Sequence, residues 1–392
     1  MCIRDRVNAG ETSVTEQNLA MGYYYITMAG EEGTIYNPML VMVPTSDKSL
    51  TPPYKNTVVN AKANKPVPDK QIKEGTSWGD KSDADIGDVI EFKITVDVAK
   101  YADNVADSDI TFKLTDTMSK GLSWIPNQTC TVTDNEGTEI VGALKTPVVS
   151  EEGESTKVVF DFDYSKIKEK TSITLSYKAV LNEDAVVGTI GNENTVILTY
   201  TTDPYTKTTK DSASDKTHVY TYGLDVTKAE LGNADILLEG AVFKLSKGGA
   251  LYYFIKEANS YTAVSPEVYE FAADGGAFKA TPKAEYTGLE ELTGLTDAVV
   301  SDANGKILIN GLDAGDYVLE ETEAPDGYFV VSQKINFTIT ADKAEGQLTG
   351  NVATGADTGN EAPAADAYYH KMVFNSTEYV LPQTGDMGTI IL

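Results

Sequence analysis

The sequence predicts an all-β fold built as antiparallel β-sandwiches in tandem, and three observations carry that expectation. Apolar and polar residues alternate with period two, turn-forming pairs punctuate the alternating runs, and no long helical period occurs. In Val89–Val98, Ile90, Phe92, Ile94, Val96 and Val98 alternate with Glu91, Lys93, Thr95 and Asp97, which predicts a strand with one buried and one wet face. The same pattern recurs at Val158, Phe160, Phe162 and Tyr164, at Ile173, Leu175, Tyr177 and Ala179, and at Ile335, Phe337 and Ile339. Asn304-Gly305 and Asp326-Gly327 supply turn signals of the kind that separate such strands.

Composition narrows the function. The chain has 392 residues, and 59 acids against 32 bases leave a formal net charge of −27. Such an excess repels phosphate backbones and anionic lipid, so nucleic acid is not an expected partner. At roughly 150 residues per domain the length predicts two or three domains. Apolar residues at 41 % and aromatics at 9 % are enough to build a core for each. The cysteines are Cys2 and Cys130 and the histidines His218 and His370. That inventory argues against a disulfide framework, a Cys-ligated metal or a His-based triad, and no cofactor is implied.

Two polar stretches divide the chain. Pro44–Pro68 is rich in Pro, Lys, Thr and Asn, and Thr201–Thr217 is nearly free of large apolar side chains, so both read as linkers or exposed edges. The expected organisation is a remnant of a first domain at 7–47, a linker at 48–65, a middle domain at 66–202, a second linker at 203–217 and a last domain at 218–378. Residues 1–6, MCIRDR, resemble a translated sequencing-adapter scar and are set aside. The chain is expected to be a fragment that lacks a signal peptide and a membrane-spanning tail. Asp80–Asp85 superficially suggests a calcium loop, but the glycine is misplaced and no glutamate stands at the twelfth position, so a polar hairpin turn is expected there. The sequons at Asn127 and Asn336 are weak signals and are set aside, and the acidic run Gly355–Asp366 reads as a solvated loop.

Leu381-Pro382-Gln383-Thr384-Gly385 is the sharpest motif. It resembles the LPXTG sorting signal that sortases of Gram-positive bacteria cleave between Thr and Gly. Pro382 favours an extended or kinked backbone and Gly385 leaves the scissile bond uncrowded. The resemblance implies that a sortase cysteine takes Thr384 as an acyl group and passes it to an amine.

The last domain contains LDVTK (Leu224–Lys228), GAVFKL (Gly240–Leu245) and DANGKILINGLDAGDYVLEETEAPDGY (Asp302–Tyr328). These resemble the Cna B-type domains of surface adhesins and pilins, and YVLEETEAPDGY resembles the pilin E-box. The resemblance places the family's catalytic acid at Glu321, with Glu320 turned to the other face, its lysine at Lys228 and its asparagine at Asn375. The middle domain, through DADIGDVIEFKITV (Asp83–Val96), ITFKLTDTMSKGL (Ile110–Leu122) and GNENTVILTY (Gly191–Tyr200), resembles the Cna A-like domain of SpaA-type pilins. There the family's residues fall on Lys70, Asp116 and Asn194, with Lys73 as the competing nucleophile because one slip of register would select it.

Both sets imply a self-made Lys–Asn isopeptide bond within immunoglobulin-like sandwiches. Burial lowers the pKa of a lysine and raises that of a carboxyl, so a neutral amine can attack a carboxamide that a protonated acid polarises. Crosslinks closing loops of about 124 and 147 residues would each constrain the unfolded chain by nearly 5 kcal/mol on the chain-entropy estimate for disulfides. A pilin also needs an amine for the incoming Thr384 acyl group. The segment Val58–Lys65 occupies the place of the family's YPKN-like motif, with Lys62 the best match and Lys65 the alternative.

The expected function is a shaft subunit of a sortase-assembled pilus on a Gram-positive cell wall, a structural protein and no enzyme. Its partners would be pilus-specific and housekeeping sortases and other pilin subunits, with host or bacterial surface ligands for an adhesive role. A wall-anchored adhesin or minor pilin is the alternative within the class, and a wall-anchored enzyme the rival outside it.

Overall fold

The alternating runs of the sequence are strands, and their inward positions are the apolar ones. In Val89–Asp97 the residues Ile90, Phe92, Ile94 and Val96 are buried while their neighbours are half-buried or exposed. The computed structural model describes residues 22–27, 32–43, 63–342, 346–349 and 367–378, with the single positions 19 and 59. One run departs from expectation. The strand Ser155–Asp161 ends before Tyr164, which instead opens a single helical turn, Tyr164–Ile167. The Asp163 side chain accepts from Ser165 N and caps that turn, and Tyr164 OH donates to the Ala99 carbonyl at 2.7 Å.

Two β-sandwiches follow one another. In the first, a six-stranded sheet is ordered Leu122–Trp124, Ser172–Leu181, Val89–Asp97, Pro68–Glu74 and Ser77–Gly79, with Thr131–Asp134 also on Ser172–Leu181. It faces a seven-stranded sheet ordered Val148–Glu152, Ser155–Asp161, Phe112–Met118, Asn192–Asp203, Asp215–Tyr220 and Lys81–Asp83, with Thr208–Asp211 paired to Asn192–Asp203. In the second sandwich, a seven-stranded sheet is centred on Lys306–Leu312, Tyr222–Glu230 and Tyr368–Ser376. It faces a five-stranded sheet centred on Val242–Lys247, Gly315–Glu323 and Lys334–Ile339. Each sandwich encloses its own cluster of buried apolar residues.

Two polar stretches are more ordered than their composition suggested. Within Thr201–Thr217, Thr208–Asp211 is an exposed edge strand, but Asp215–Tyr220 is paired on both sides and Thr217 is fully buried. Asp80–Asp85 is not a hairpin turn. Lys81–Asp83 is a strand running parallel to Asp215–Tyr220, and Asp85 is only 2 % exposed. Backbone pairing satisfies these polar segments where apolar burial does not.

Asp85 instead joins the two sandwiches. Its carboxylate accepts from Tyr252 OH at 2.7 Å, Tyr317 OH at 3.0 Å and Asp313 N at 3.0 Å, and pairs with Lys247 Nζ at 3.0 Å. Next to it Ile86 N donates to the Gly311 carbonyl, and Ser265 N donates to the Ile86 carbonyl. Gly311 has φ +88°, and a Cβ there would stand 2.6 Å from Ile86 Cδ1, so this approach requires glycine. A second contact comes from a three-stranded sheet, Tyr269–Asp274, Ala277–Pro282 and Leu292–Leu295. Its Tyr269, Ala280, Leu292 and Leu295 pack in one buried cluster with Ile125 and Val180 of the first sandwich.

Burial first, then the charge of Asp85, pushes the nearby Asp88 up from an ordinary 3.8 to about 8. A carboxyl whose folded pKa lies above its unfolded one contributes stability that is present below the unfolded value and lost as pH rises through the folded one. Asp88 should therefore make the chain lose stability between about pH 4 and pH 8. The Asp88→Asn variant keeps an oxygen for Asp85 N, which donates to Asp88 at 3.1 Å. Its melting temperature should fall less than that of the parent between about pH 5 and pH 8.5; equal falls would show that Asp88 has no part in the dependence.

Candidate functional site

Each sandwich holds a lysine, a carboxyl and a carboxamide at inward positions that are otherwise apolar. In Pro68–Glu74 the alternation turns Pro68, Lys70 and Ile72 inward and leaves Asp69 and Lys73 exposed. In Phe112–Met118 it places Asp116 in line with the buried Phe112, Leu114 and Met118. In Asn192–Asp203 it places Asn194 in line with Val196 and Leu198. Lys70, Asp116 and Asn194 are all fully buried. Lys70 lies on the six-stranded sheet and reaches across the core to Asp116 on the seven-stranded sheet, with which it forms an ion pair. Lys73 pairs with Glu91 at the surface, so the register selects Lys70 for the interior.

Aromatic side chains enclose this pair. Lys70 Nζ stands 5.1 Å from the Phe92 ring centre and 5.2 Å from that of Tyr177. Burial pushes the Lys70 amine down, against the opposing charge and hydrogen bond of Asp116. Tyr177 OH donates to Asp116 Oδ2 at 2.8 Å and accepts from Lys70 Nζ at 2.5 Å and from Asn194 Nδ2 at 3.1 Å. In the sequence Tyr177 is legible only as a core position. The available signal was the hydroxyl itself, because a tyrosine on the buried face of a strand needs a polar partner.

The second sandwich arranges the same groups differently. Lys228 in Tyr222–Glu230 and Asn375 in Tyr368–Ser376 lie on neighbouring parallel strands of one sheet, two residues apart in register. Glu321 faces them from Gly315–Glu323 on the other sheet, 2.9 Å from Lys228 Nζ. All three are buried, with Glu321 1 % exposed and the others 0 %. Lys228 Nζ lies 5.4 Å from the Phe243 ring centre. Burial pushes Glu321 up, while Lys228 and the neighbouring Asn375 side chain pull the other way. Asn375 Nδ2 donates to the Phe329 carbonyl at 2.9 Å. Glu320, on the opposite face, lies 3.6 Å from Lys334 near the surface.

In both sites the same oxygens lack a donor: Asp116 Oδ1 and Asn194 Oδ1 in the first, Glu321 Oε1 and Asn375 Oδ1 in the second. A buried acceptor left without a donor is costly. The remaining sequence candidates, Lys62 and Leu381–Gly385, lie outside the described residues, and Lys65 is exposed. No described helix is long and apolar enough to cross a membrane.

Residues 86–204 match the family described as Gram-positive pilin backbone subunit 2, Cna-B-like domain, and residues 224–353 match SpaA, a prealbumin-like fold domain. The chain is 22 % identical over 347 residues to the trypsin-resistant surface T6 protein of Streptococcus pyogenes serotype M6, covering 81 % of this chain and 55 % of that protein. It therefore spans about half the length of that relative. Among solved structures it resembles the T6 backbone pilin of S. pyogenes, with a TM-score of 0.56 and 18 % identity over 92 % of this chain and 81 % of that one. It also resembles the full-length major pilin SpaD of Corynebacterium diphtheriae, with a TM-score of 0.54 and 17 % identity over 93 % and 78 %. The chain carries SpaA-type and pilin-backbone domains and is homologous to backbone pilins.

Removing one member of a buried pair costs more than removing both, because it strands the survivor without a partner. Asp116→Ala should therefore be less stable to denaturant than Lys70→Met/Asp116→Ala, by about 2 kcal/mol. Equal midpoints for the two variants would show that Lys70 gains nothing from its carboxylate.

Proposed function

We propose that this chain is a structural shaft subunit of a sortase-assembled pilus on a Gram-positive cell wall. In this reading residues 66–202 and 218–378 are two self-crosslinking domains, joined to the next subunit through Thr384 and a lysine, with Lys62 the leading candidate. The observation that carries it is the twofold occurrence of a buried lysine, carboxyl and carboxamide, with an unsatisfied oxygen on each of the last two. The homology to backbone pilins supports the same reading. Sortases would act on Leu381–Gly385 outside the cell, which fits a strongly acidic, cysteine-poor chain.

The chemistry is a single turnover. The lysine gives a proton to its carboxyl partner, and the neutral amine attacks the asparagine Cγ. The protonated acid donates to the carboxamide oxygen as it gains charge. Ammonia leaves, an amide joins Nζ to Cγ, and the spare proton stays on the acid. Lys70 would be joined to Asn194, with Asp116 as the acid, and Lys228 to Asn375, with Glu321 as the acid. A Lys70–Asn194 bond would tie the opening strand of the first sandwich to Asn192–Asp203, and a Lys228–Asn375 bond would tie Tyr222–Glu230 to Tyr368–Ser376, so tension would pass through the crosslinks.

Intact mass of the purified chain should be low by one ammonia per crosslinked sandwich. Glu321→Ala should restore one ammonia and Asp116→Ala the other, and an undiminished parent mass would refute the crosslinks. With a pilus sortase, the chain should form ladders that Lys62→Ala abolishes. Attachment to wall peptide without ladders would favour a singly anchored adhesin or minor pilin.

A further inference from the structure

The Tyr177 hydroxyl touches all three groups of the first site. It donates to Asp116 Oδ2 and accepts from Lys70 Nζ and Asn194 Nδ2, which uses its one proton and both lone pairs. The ring is held on several sides: stacked on Phe92 at 5.4 Å between centres, 5.2 Å from Phe160 and 6.0 Å from Trp124. The residue is 2 % exposed, so the hydroxyl sits where protein groups, in place of bulk water, must move protons. The second site is wired otherwise. There the carboxamide nitrogen is held by the Phe329 carbonyl and Glu321 lies beside the asparagine itself.

We propose that Tyr177 is a catalytic residue of the first sandwich, relaying the proton of Asp116 to the leaving nitrogen of Asn194. This rests on the crosslinking read above. Lys70 passes a proton to Asp116, and its neutral Nζ attacks Asn194 Cγ. The carboxamide nitrogen becomes pyramidal and gains a lone pair that the planar amide did not offer. Asp116 then donates to the phenol oxygen while the phenol proton passes to Nδ2. Nζ, now carrying an extra proton, returns one to Asp116. The Cγ–Nδ2 bond breaks and ammonia departs. Tyr177 ends unchanged, Asp116 ends protonated, and the five protons that began on Lys70 Nζ and Asn194 Nδ2 are shared among the new amide, ammonia and the acid. Burial and the adjacent Asp116 charge hold the phenol well above its usual pKa, so it stays neutral and acts as a conduit.

Tyr177→Phe keeps the ring and removes only the hydroxyl. In the full-length chain, ammonia loss followed by intact mass with peptide mapping should slow at the Lys70–Asn194 pair by about 10²-fold or more. The Lys228–Asn375 pair serves as the internal control and should be unaffected. Crosslinking of the first sandwich at the parental rate would overturn the relay. A parent chain with no crosslink there would overturn the underlying reading and the relay with it, and mapping tells the two apart. To separate chemistry from packing, uncrosslinked Tyr177→Phe and Asp116→Ala should show the same far-UV circular dichroism and the same slow amide exchange along Pro68–Glu74 and Asn192–Asp203. Loss of that protection in Tyr177→Phe alone would make the hydroxyl structural and overturn the proposal.

Discussion

The structure depends on burying an amine and a carboxyl together inside an apolar β-sandwich, twice. An isolated charge in such a place is costly enough that the group shifts its pKa instead. Burial pushes Lys70 down in the first pair and Glu321 up in the second, so in each pair it favours the neutral form of the member it shifts. The surrounding rings reinforce this. Phe92, Tyr177 and Phe243 offer the lysines an apolar wall and leave the paired carboxyl as the chief acceptor. What would be a liability in an ordinary core would, in the proposed crosslinking, be the means of activating the amine.

The two sandwiches meet through a different kind of polar contact. Asp85 is nearly as buried as the lysine–carboxyl pairs, yet it is satisfied by two phenols, a backbone amide and Lys247. A fully bonded buried carboxylate fixes geometry, because every partner has to arrive for the charge to be tolerated. The three-stranded sheet supplies a second, apolar attachment through Tyr269 and Leu292 against Ile125 and Val180. Two contacts of unlike chemistry on different parts of the interface resist both hinge and twist better than one.

Much of this was legible in the sequence, because it is local. Period-two alternation identifies the inward face of a strand, and the same parity that buries Ile72 buries Lys70 and exposes Lys73. Glu321 separates from Glu320 in the same way. What escaped was set by partners distant in the chain. Asp85 reads as one acid in a polar run because Tyr252 and Tyr317, which bury it, lie more than 160 residues away. Asp215–Thr217 reads as linker, and His218–Tyr220 as the start of the last domain, because the strand they form is held by pairing with Asn192–Asp203 and Lys81–Asp83. Tyr177 is legible as a core residue, but only the fold brings its hydroxyl to Asp116.

The use of aspartate in one site and glutamate in the other follows from the strands. In the first sandwich Asp116 and Asn194 are on adjacent strands of one sheet, where Asn194 pairs with Met118 and Val196 with Asp116. Acid and carboxamide are then close neighbours, a short side chain suffices, and the long lysine crosses the gap of about 10 Å between sheets. In the second sandwich the lysine and asparagine are the neighbours, on parallel strands, and the acid must come across. A carboxyl with one more methylene meets that need, and Glu321 stands at 2.9 Å from Lys228 Nζ. The geometry also sets what each bond would resist. A Lys70–Asn194 bond would pin the two sheets face to face, while a Lys228–Asn375 bond would lock two parallel strands against sliding. Parallel neighbours loaded at opposite ends fail by shear along their hydrogen bonds, so a covalent tie between them lies where that sheet would otherwise yield first.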